Sequence, residues 1–503
     1  MSRAGISGTT LAVFVVLLII VGAAAFVAGR LAKETVTMTV KPEPVTTTQT
    51  VTETVRETET VTRTLALTTT ETVTGTVTTT VTQAVDVSSI VEEAIGELFF
   101  KAIMLHYDNP ETPDIEGVNV NPLFGCQGCH FGPEAAEKME QWGRSGHGGY
   151  LLEVKERDPA GAVTEEEAPA WVHYDFKESG WAVCQRCHTA TGARNFFINP
   201  AGYSPENNTF PLFGQQKELL YCWVCHKVPG VEADTYELRN PGPLKVTAPY
   251  SEEEKQALAG RLEAVPDLGP ANLCVACHSG RSAGAKIKLA EDIKRHFGAF
   301  NSHYLAAGGV LYGFIGYEYD GRSYMTYSPH AAIRGSCVAC HMPDADHTFE
   351  PLVRDEGGKI VDIKAYDKVC SLCHAQSKEE LIALIEQREK GFRASLKVIE
   401  QLLAAKGIYF DIHVYPYFYP SPDPAQHRGP PTAFTDWPDK DTLGAAFILN
   451  LLAHEPGAFV HNPTYTKQLI YDAIDYLDDG QLNDSVMNTV TDPDARAYLE
   501  GAR

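Results

Sequence analysis

Six short segments of the chain share the pattern Cys-x-x-Cys-His: CQGCH at Cys126, CQRCH at Cys184, CWVCH at Cys222, CVACH at Cys274, CVACH at Cys337 and CSLCH at Cys370. These motifs contain all 12 cysteines, so none remains for a separate disulfide or nucleophile. A histidine follows the second cysteine in every motif. The pattern therefore needs a chemistry that uses two thiols and one imidazole together.

Three chemistries compete for such a motif. A redox dithiol needs a low thiol pKa but no fixed histidine, and zinc held by four thiolates also leaves the histidine unexplained. Covalent haem attachment uses all three residues, because two thiols on one turn add to the vinyl groups and the histidine binds the iron. The sequence therefore predicts six c-type haems. The attaching residues would be Cys126, Cys129, Cys184, Cys187, Cys222, Cys225, Cys274, Cys277, Cys337, Cys340, Cys370 and Cys373, with His130, His188, His226, His278, His341 and His374 as proximal iron ligands.

The overall charge narrows the range of partners. The chain has 503 residues and a net charge of -23. Nucleic acid is excluded as a partner, because phosphate binding needs a basic surface. The acidic surface either serves solubility or faces a basic patch on a redox partner.

The N-terminal segment is strongly apolar. Leu11 to Ala28 is long enough to cross a bilayer of about 30 Å as a helix. We expect residues 1–8 to be cytoplasmic and residues 9–29 to form a transmembrane anchor. The alternative is a cleaved secretory signal, with a cut site near the alanines at 23–25. Since c-type haems are attached outside the cytoplasm, the rest of the chain should face the extracytoplasmic or extracellular side.

Residues 30–86 differ in composition from the rest of the chain. Thr35 to Gln83 is close to half threonine and has no cysteine, histidine or aromatic residue. Threonine and valine disfavour helix, and little here can form a packed core. We expect a stalk that carries O-glycosylation sites, the alternative being a disordered linker.

Residues 87–376 are expected to form the hexahaem domain, which we predict to be mainly α with much irregular loop. A capping box at Ser89 and Glu92 should open its first helix. With so few residues per haem, the haems themselves must supply much of the core.

Residues 377–503 should be a helical region that packs on the haem cluster. Ser377 and Glu380 form a second capping box before an apolar face running from Leu381 to Leu403, and the helix should end at Gly407. Two further helices are predicted at 442–454 and 463–477. The segment 415–424 between them is rich in proline and should be irregular.

Three segments resemble known multihaem cytochromes. WGRSGHGGY around His147 resembles the W-x-x-S-x-H segment of tetrahaem and larger cytochromes c. The element SPHAAIRGSCVACHMPDADHTF is similar to one shared by pentahaem nitrite reductase, hydroxylamine oxidoreductase and octahaem tetrathionate reductase, and HNP at His461 resembles the C-terminal histidine of that superfamily. The resemblance implies distal iron ligation by His147, His330, His347 and His461, with His303 and His173 as weaker matches. The remaining histidines are interpreted as structural or reserve ligands: His106, His296, His413, His427 and His454.

Two functions fit these residues. The first is an electron conduit between a membrane-side donor and an external acceptor or redox protein, with two histidines on every iron and no catalytic residue. The second is an oxidoreductase with one open haem for a small nitrogen or sulfur oxyanion. Nitrite reductases of the resembled superfamily replace one motif histidine by lysine, whereas all six motifs here end in histidine. A homo-oligomer or filament would follow if a neighbouring subunit donated a distal ligand.

The first testable prediction concerns the number of haems. Six complete motifs should attach six haems, so the intact mass of the mature protein should exceed that of its polypeptide by six haem masses. Replacing Cys126 and Cys129 together should remove one haem and leave five, since attachment is local to each motif. A wild-type product with four haems, or with bound zinc, would contradict the assignment.

Overall fold

The computed structural model describes residues 133–150, 176, 183–208, 220, 222–227, 233 and 236–503. The predicted anchor and stalk, the first haem motif, His106 and His173 lie outside the described residues. In the ranges that are described, no helix is both long and apolar enough to span a bilayer.

The first part of the described chain consists of short helices joined by irregular loops. The α-helices here are α1 Pro133–Gly143, α2 Gln185–His188, α3 Ala190–Ile198, α4 Cys222–Cys225, α5 Leu244–Thr247, α6 Glu252–Ala257, α7 Ala259–Ala264, α8 Asn272–Cys277, α9 Ala285–Leu289, α10 Ala307–Leu311 and α11 Ser336–His341. Single 3₁₀ turns lie at Pro200–Gly202, Pro205–Asn207, Gly269–Ala271, Phe297–Ala299, Pro329–Ala332, Pro343–Ala345 and Cys370–Leu372. The described part is thus mainly helical with irregular loops, as predicted.

Each described haem motif lies on one of these short helical turns. Four of the five coincide with α2, α4, α8 and α11, and the last is the 3₁₀ turn Cys370–Leu372. Residues three apart on such a turn lie on the same side of it. The two thiols of each motif are therefore brought together by local backbone geometry alone.

The C-terminal part contains longer helices. They are α12 Lys378–Ala405, α13 Lys440–Ala453, α14 Ala458–His461, α15 Pro463–Asp479, α16 Val486–Thr489 and α17 Pro493–Leu499, with 3₁₀ turns at Pro424–Gln426 and Pro430–Thr432. The capping box at the start of α12 is present: the Ser377 hydroxyl accepts from the Glu380 N–H, and the Glu380 carboxylate accepts from the Ser377 N–H. The predicted helices at 381–403, 442–454 and 463–477 are confirmed.

One cluster of buried apolar side chains runs from Leu244 to Ala502 and includes much of this C-terminal part. Helix α13 is buried on nearly every side from Thr442 to Leu452 and packs against α12 and α15. Its neighbours include Phe297, Val310 and Phe314 from the haem-motif part of the chain. The C-terminal helices therefore share one apolar core with the haem-motif part of the chain, and the packing of residues 377–503 on the haems stays a prediction.

Three features were not predicted from the sequence. An antiparallel pair joins β1 Leu352–Arg354 to β2 Ile360–Ile363. A second pair joins β3 Tyr409–Phe410 to β4 Phe418–Tyr419, and β4 lies inside the segment 415–424 that was predicted to be irregular. Helix α17 packs closely on α12, although the tail carries few apolar residues.

The contact between α12 and α17 can be tested at Gly391. A Cβ atom at this position would lie 2.6 Å from the Tyr498 Cβ and 2.9 Å from the Asp494 carbonyl oxygen. Overpacking costs about 1–3 kcal/mol, which outweighs the gain of about 0.5–1 kcal/mol in helix propensity. Gly391→Ala should therefore lower the melting temperature followed by far-UV circular dichroism.

Gly260 provides the matched control. It lies in α7, and a Cβ atom there would have no neighbour within 4 Å. Gly260→Ala should raise stability by up to about 1 kcal/mol, because only helix propensity changes. Equal stabilisation by both substitutions would show that α17 does not pack tightly on Gly391.

Candidate haem-binding site

A single large cavity brings the described haem motifs together. Its volume is about 2580 Å³, whereas pockets for one small ligand measure about 300–1,000 Å³. All ten described motif cysteines line it, together with ten histidines. The cavity is therefore large enough for several cofactors.

The ten histidines form five facing pairs. Every described motif histidine lies opposite one histidine that was predicted as a distal ligand. The ring-centroid distances are 5.8 Å for His188 and His303, 6.1 Å for His226 and His347, 5.9 Å for His278 and His147, 6.2 Å for His341 and His461, and 6.2 Å for His374 and His330. The structure brings each of these predicted distal ligands close to one motif histidine, and the sequence did not predict which motif each one faces.

These distances fit two imidazoles on opposite sides of one metal ion. An imidazole nitrogen binds a metal at about 2 Å, so the ring centroids on either side of one ion lie roughly 6 Å apart. In the closest pair, the Nε2 atoms of His188 and His303 face each other at 3.5 Å. Two metal–nitrogen bonds in line would span about 4 Å, so a small outward movement of either ring would admit the iron.

Hydrogen bonds at Nδ1 leave Nε2 free to bind metal in most of these rings. A backbone carbonyl can only accept, so a ring nitrogen beside one must carry the proton. The Nδ1 partners are carbonyls of Tyr236 for His226 (2.9 Å), Leu305 for His278 (3.3 Å), Val460 for His330 (2.7 Å), Phe349 for His341 (2.8 Å) and Ala345 for His347 (2.8 Å). Metal-binding histidines usually have such a partner, which fixes both tautomer and orientation.

Burial keeps these imidazoles neutral, which is the form that binds a metal. Burial, followed by the neighbouring His278, lowers the pKa of His147 to about 3. Burial is also the main cause of the lowered pKa of His303, about 3, and of His188, about 4. It lowers the pKa of five more: His226, His278, His330, His341 and His347.

His461 differs from the other cavity histidines. Burial acts to lower its pKa, but the Glu455 carboxylate outweighs this and raises it. The Nδ1 atom of His461 lies 2.9 Å from Glu455 Oε1. No feature of the sequence pointed to Glu455, because its role depends on the path of the chain between α13 and α14.

The W-x-x-S-x-H segment holds His147 through two polar contacts. The Trp142 indole N–H donates to the Leu220 carbonyl at 2.9 Å and anchors the end of α1. The buried Ser145 hydroxyl donates to the Trp142 carbonyl at 2.7 Å and accepts from the Gly148 N–H at 3.2 Å. The tryptophan and serine therefore form the turn that directs His147 into the cavity.

Ser328 of the S-P-H segment connects two ligand segments. Its hydroxyl donates to the His461 carbonyl at 2.8 Å and accepts from the His330 N–H at 3.3 Å. On the other side of His461, the Asn462 side chain caps α15 by accepting from the Tyr465 N–H, and Pro463 is its first residue. The expectation that His461 directly precedes a capped helix is confirmed.

His303 and His347 are positioned by side-chain amides. The Asn301 side-chain oxygen accepts from the His303 N–H at 2.9 Å and from the Asn450 amide of α13 at 3.1 Å. His303 itself has φ of +76°, an uncommon backbone conformation that often occurs at functional sites. The His347 N–H donates to the Gln141 side-chain oxygen at 3.0 Å.

The other described histidines lie outside the cavity lining: His296, His413, His427 and His454. Both ring nitrogens of His427 already have partners, the Asp411 carboxylate at 2.7 Å and the Ser421 carbonyl at 2.9 Å. The His454 ring lies 4.6 Å from the ring of Tyr304, and its Nδ1 lies 2.9 Å from the Asn450 carbonyl. The contacts of His427 and His454 agree with their interpretation as structural residues.

The motifs lie close to one another in space. The Cys187 side chain lies beside that of Cys277, and the Cys274 side chain lies beside that of Cys337. Phe349 packs edge-on against His147, with ring centroids 4.5 Å apart, and against His347 at 6.1 Å. Adjacent pairs therefore share side-chain contacts without an intervening layer of protein.

Comparisons with known proteins agree with this site. The family description "C-type polyheme cytochrome domain 2" matches residues 104–239, and "Cytochrome c552" matches residues 320–493. The chain belongs to the multihaem c-type cytochromes, whose cofactor is haem c. Its membership of the nitrite reductase and hydroxylamine oxidoreductase superfamily stays a prediction.

Two curated relatives come from Geobacter sulfurreducens. The chain is 36% identical over 453 residues to the C-type polyheme cytochrome OmcB, covering 76% of this chain and 60% of OmcB. It is 35% identical over 484 residues to OmcC, covering 79% and 62% of the two chains. The chain thus spans about three fifths of the length of these relatives.

Two solved structures share a weaker likeness. The outer cell wall cytochrome OcwA aligns with a TM-score of 0.36 and 16% identity, over 74% of this chain and 59% of OcwA. The undecahaem cytochrome from the S-layer of Carboxydothermus ferrireducens aligns with a TM-score of 0.32 and 17% identity, over 60% and 38% of the two chains.

The pairing can be tested at His347. Removing a distal imidazole leaves one axial position of its iron open or filled by water. His347→Ala should therefore convert one haem from low-spin to high-spin in the ferric electron paramagnetic resonance spectrum, with the haem count unchanged. His427→Ala is the control and should leave every haem low-spin, because His427 lies outside the cavity. A low-spin spectrum in His347→Ala would exclude the pair with His226.

Proposed function

We propose that this chain is a hexahaem electron-transfer cytochrome in which every iron has two histidine ligands. The five facing histidine pairs along one cavity are the observation that supports it. The motif cysteines would hold each porphyrin covalently, and the paired Nε2 atoms would bind its iron. The haem supplies one-electron redox chemistry when bound.

The pairs favour electron transfer over catalysis. Two imidazoles close both faces of an iron, so a substrate cannot bind there and only an electron is exchanged. The protein's own residues then have three tasks: they hold the imidazoles in the correct tautomer, exclude water and keep neighbouring sites adjacent. Backbone carbonyls, burial and the contacts made by Phe349 and the motif cysteines serve these tasks.

The first motif would carry the sixth haem, with His130 as proximal ligand. His173 is our candidate for its distal ligand, on the resemblance in sequence alone. The other five pairs each form within one chain, so those sites need no ligand from a neighbouring subunit. Assembly into an oligomer or filament through a shared ligand would therefore involve the first haem.

We also propose a distant relationship to the pentahaem nitrite reductase superfamily. The segment that resembles it supplies three residues to the cavity, His330, His341 and His347, and Ser328 links this segment to His461. Of these, His330 and His347 are residues for which the resemblance implied distal ligation, and His341 is the histidine of a haem motif. The absence of a lysine in any of the six motifs argues against nitrite as the substrate.

For the location, we propose a membrane-anchored protein with its haem domain on the extracytoplasmic or extracellular side. The apolar segment at 9–29 would be the anchor, and the threonine-rich residues 30–86 would hold the haem domain away from the membrane. Electrons would then pass from a membrane-side donor to an external acceptor or a redox protein.

The spectrum of the resting ferric protein tests this function. With two histidines on each iron, all six haems should give low-spin signals, and adding nitrite, hydroxylamine or tetrathionate should leave those signals unchanged. A high-spin signal equal to about one haem in six, altered by one of these compounds, would contradict the proposal. That result would support the alternative, an oxidoreductase with one open haem.

A further inference from the structure

His461 differs from the other cavity histidines in the partner of its Nδ1 atom. That partner is a carboxylate, whereas every other cavity histidine with a described Nδ1 partner has a backbone carbonyl there. Glu455 Oε1 lies 2.9 Å from His461 Nδ1, and the Glu455 side chain is only 2% exposed. The other five Nδ1 contacts are made by carbonyl groups of Tyr236, Leu305, Val460, Phe349 and Ala345. A buried carboxylate at this position is therefore a specific feature of the pair formed by His341 and His461.

The local backbone holds Glu455 in this position. Its carbonyl accepts from the Ala458 N–H at 3.0 Å, at the start of α14. Gly457 leaves room for the histidine, since a Cβ atom there would lie 2.9 Å from the His461 ring. Glu455 and His461 are thus the two ends of one tight segment, and their contact follows from the turn between α13 and α14.

The charge of Glu455 has little compensation. Its second oxygen, Oε2, is buried and has no hydrogen-bond partner among the described residues. A buried charge acts more strongly on its surroundings than an exposed one, because the medium around it has a low dielectric constant.

We propose that Glu455 lowers the reduction potential of the haem held by His341 and His461. A carboxylate that accepts the Nδ1 proton increases the electron density of the imidazole, which then stabilises ferric more than ferrous iron. The uncompensated negative charge acts in the same direction, because the oxidised iron carries one more positive charge. Glu455 is thus a positioning and tuning residue. This inference rests on the proposed ligation of one haem by these two histidines.

The test is a redox titration of the full haem-bearing protein, followed by electron paramagnetic resonance. In Glu455→Gln, a neutral amide of similar shape replaces the carboxylate. The g values of one low-spin ferric haem should then change, and the midpoint potential of that haem should shift in the positive direction. The number of haems should stay the same. Glu455→Asp keeps the charge at a greater distance and should give a smaller shift in the same direction.

Asp411→Asn is the matched control. The Asp411 carboxylate contacts His427 Nδ1 at 2.7 Å. This variant therefore also removes the negative charge from a pair of carboxylate and imidazole, but His427 lies outside the cavity. It should leave all midpoint potentials unchanged. Equal shifts in Asp411→Asn and Glu455→Gln would overturn the proposal, because they would reflect net charge alone.

Two other results would also overturn it. If all potentials in Glu455→Gln are unchanged, the carboxylate has no tuning effect. If one haem becomes high-spin instead, Glu455 only holds His461 in place. If Glu455→Gln does not acquire its haems, the midpoint potentials of Glu455→Asp are measured instead. Potentials equal to those of the wild-type protein would then reject the inference.

His461→Ala separates this inference from the proposed function. It should convert one haem to high-spin. If it does not, the ligation itself is wrong. If it does, but Glu455→Gln shifts no potential, only the tuning role fails.

Discussion

In the proposed ligation, the spacing of two imidazoles across one iron is the constraint on which the rest of the structure depends. The rings must lie roughly 6 Å apart with Nε2 facing inward, and a deviation of about an ångström breaks the bond. The partners in these pairs are far apart in the chain, as with His147 and His278 or His341 and His461. Local backbone geometry arranges each motif, but only tertiary structure can bring the second histidine to it.

This requirement explains the buried polar groups around the cavity. Ser328 and Asn301 are buried, and each hydrogen-bonds to a segment that carries a cavity histidine: Ser328 to His461 and His330, Asn301 to His303. A buried polar group without a partner costs free energy, whereas one with its partners in place fixes a single arrangement. The apolar core of α13 supplies the rigid body to which these contacts connect, so the stability of the C-terminal region and the geometry of the ligands are linked.

Local features of this fold could be predicted from the sequence. The capping box at Ser377, the cap at Asn462 and the apolar face of α12 depend on neighbouring residues, and the structure contains all three. The five histidines that face a motif histidine were also singled out as candidate ligands, because short segments around them resemble those of known multihaem cytochromes. Their pairing could not be predicted, since it depends on which segments meet in space. The packing of α17 on Gly391 was missed for the same reason, whereas β1 and β2 form a local hairpin that the sequence analysis did not recognise.

Glu455 shows why charge near such a site is hard to infer from sequence. It follows His454, a histidine outside the cavity, and no motif marks it. Its effect arises because the chain turns back between α13 and α14 and because Gly457 leaves space for the His461 ring. Elsewhere the same pairing of carboxylate and imidazole, at Asp411 and His427, serves only to hold a loop together. The chemistry of the two pairs is alike, and their different roles follow from whether the second ring nitrogen faces the cavity or a backbone carbonyl.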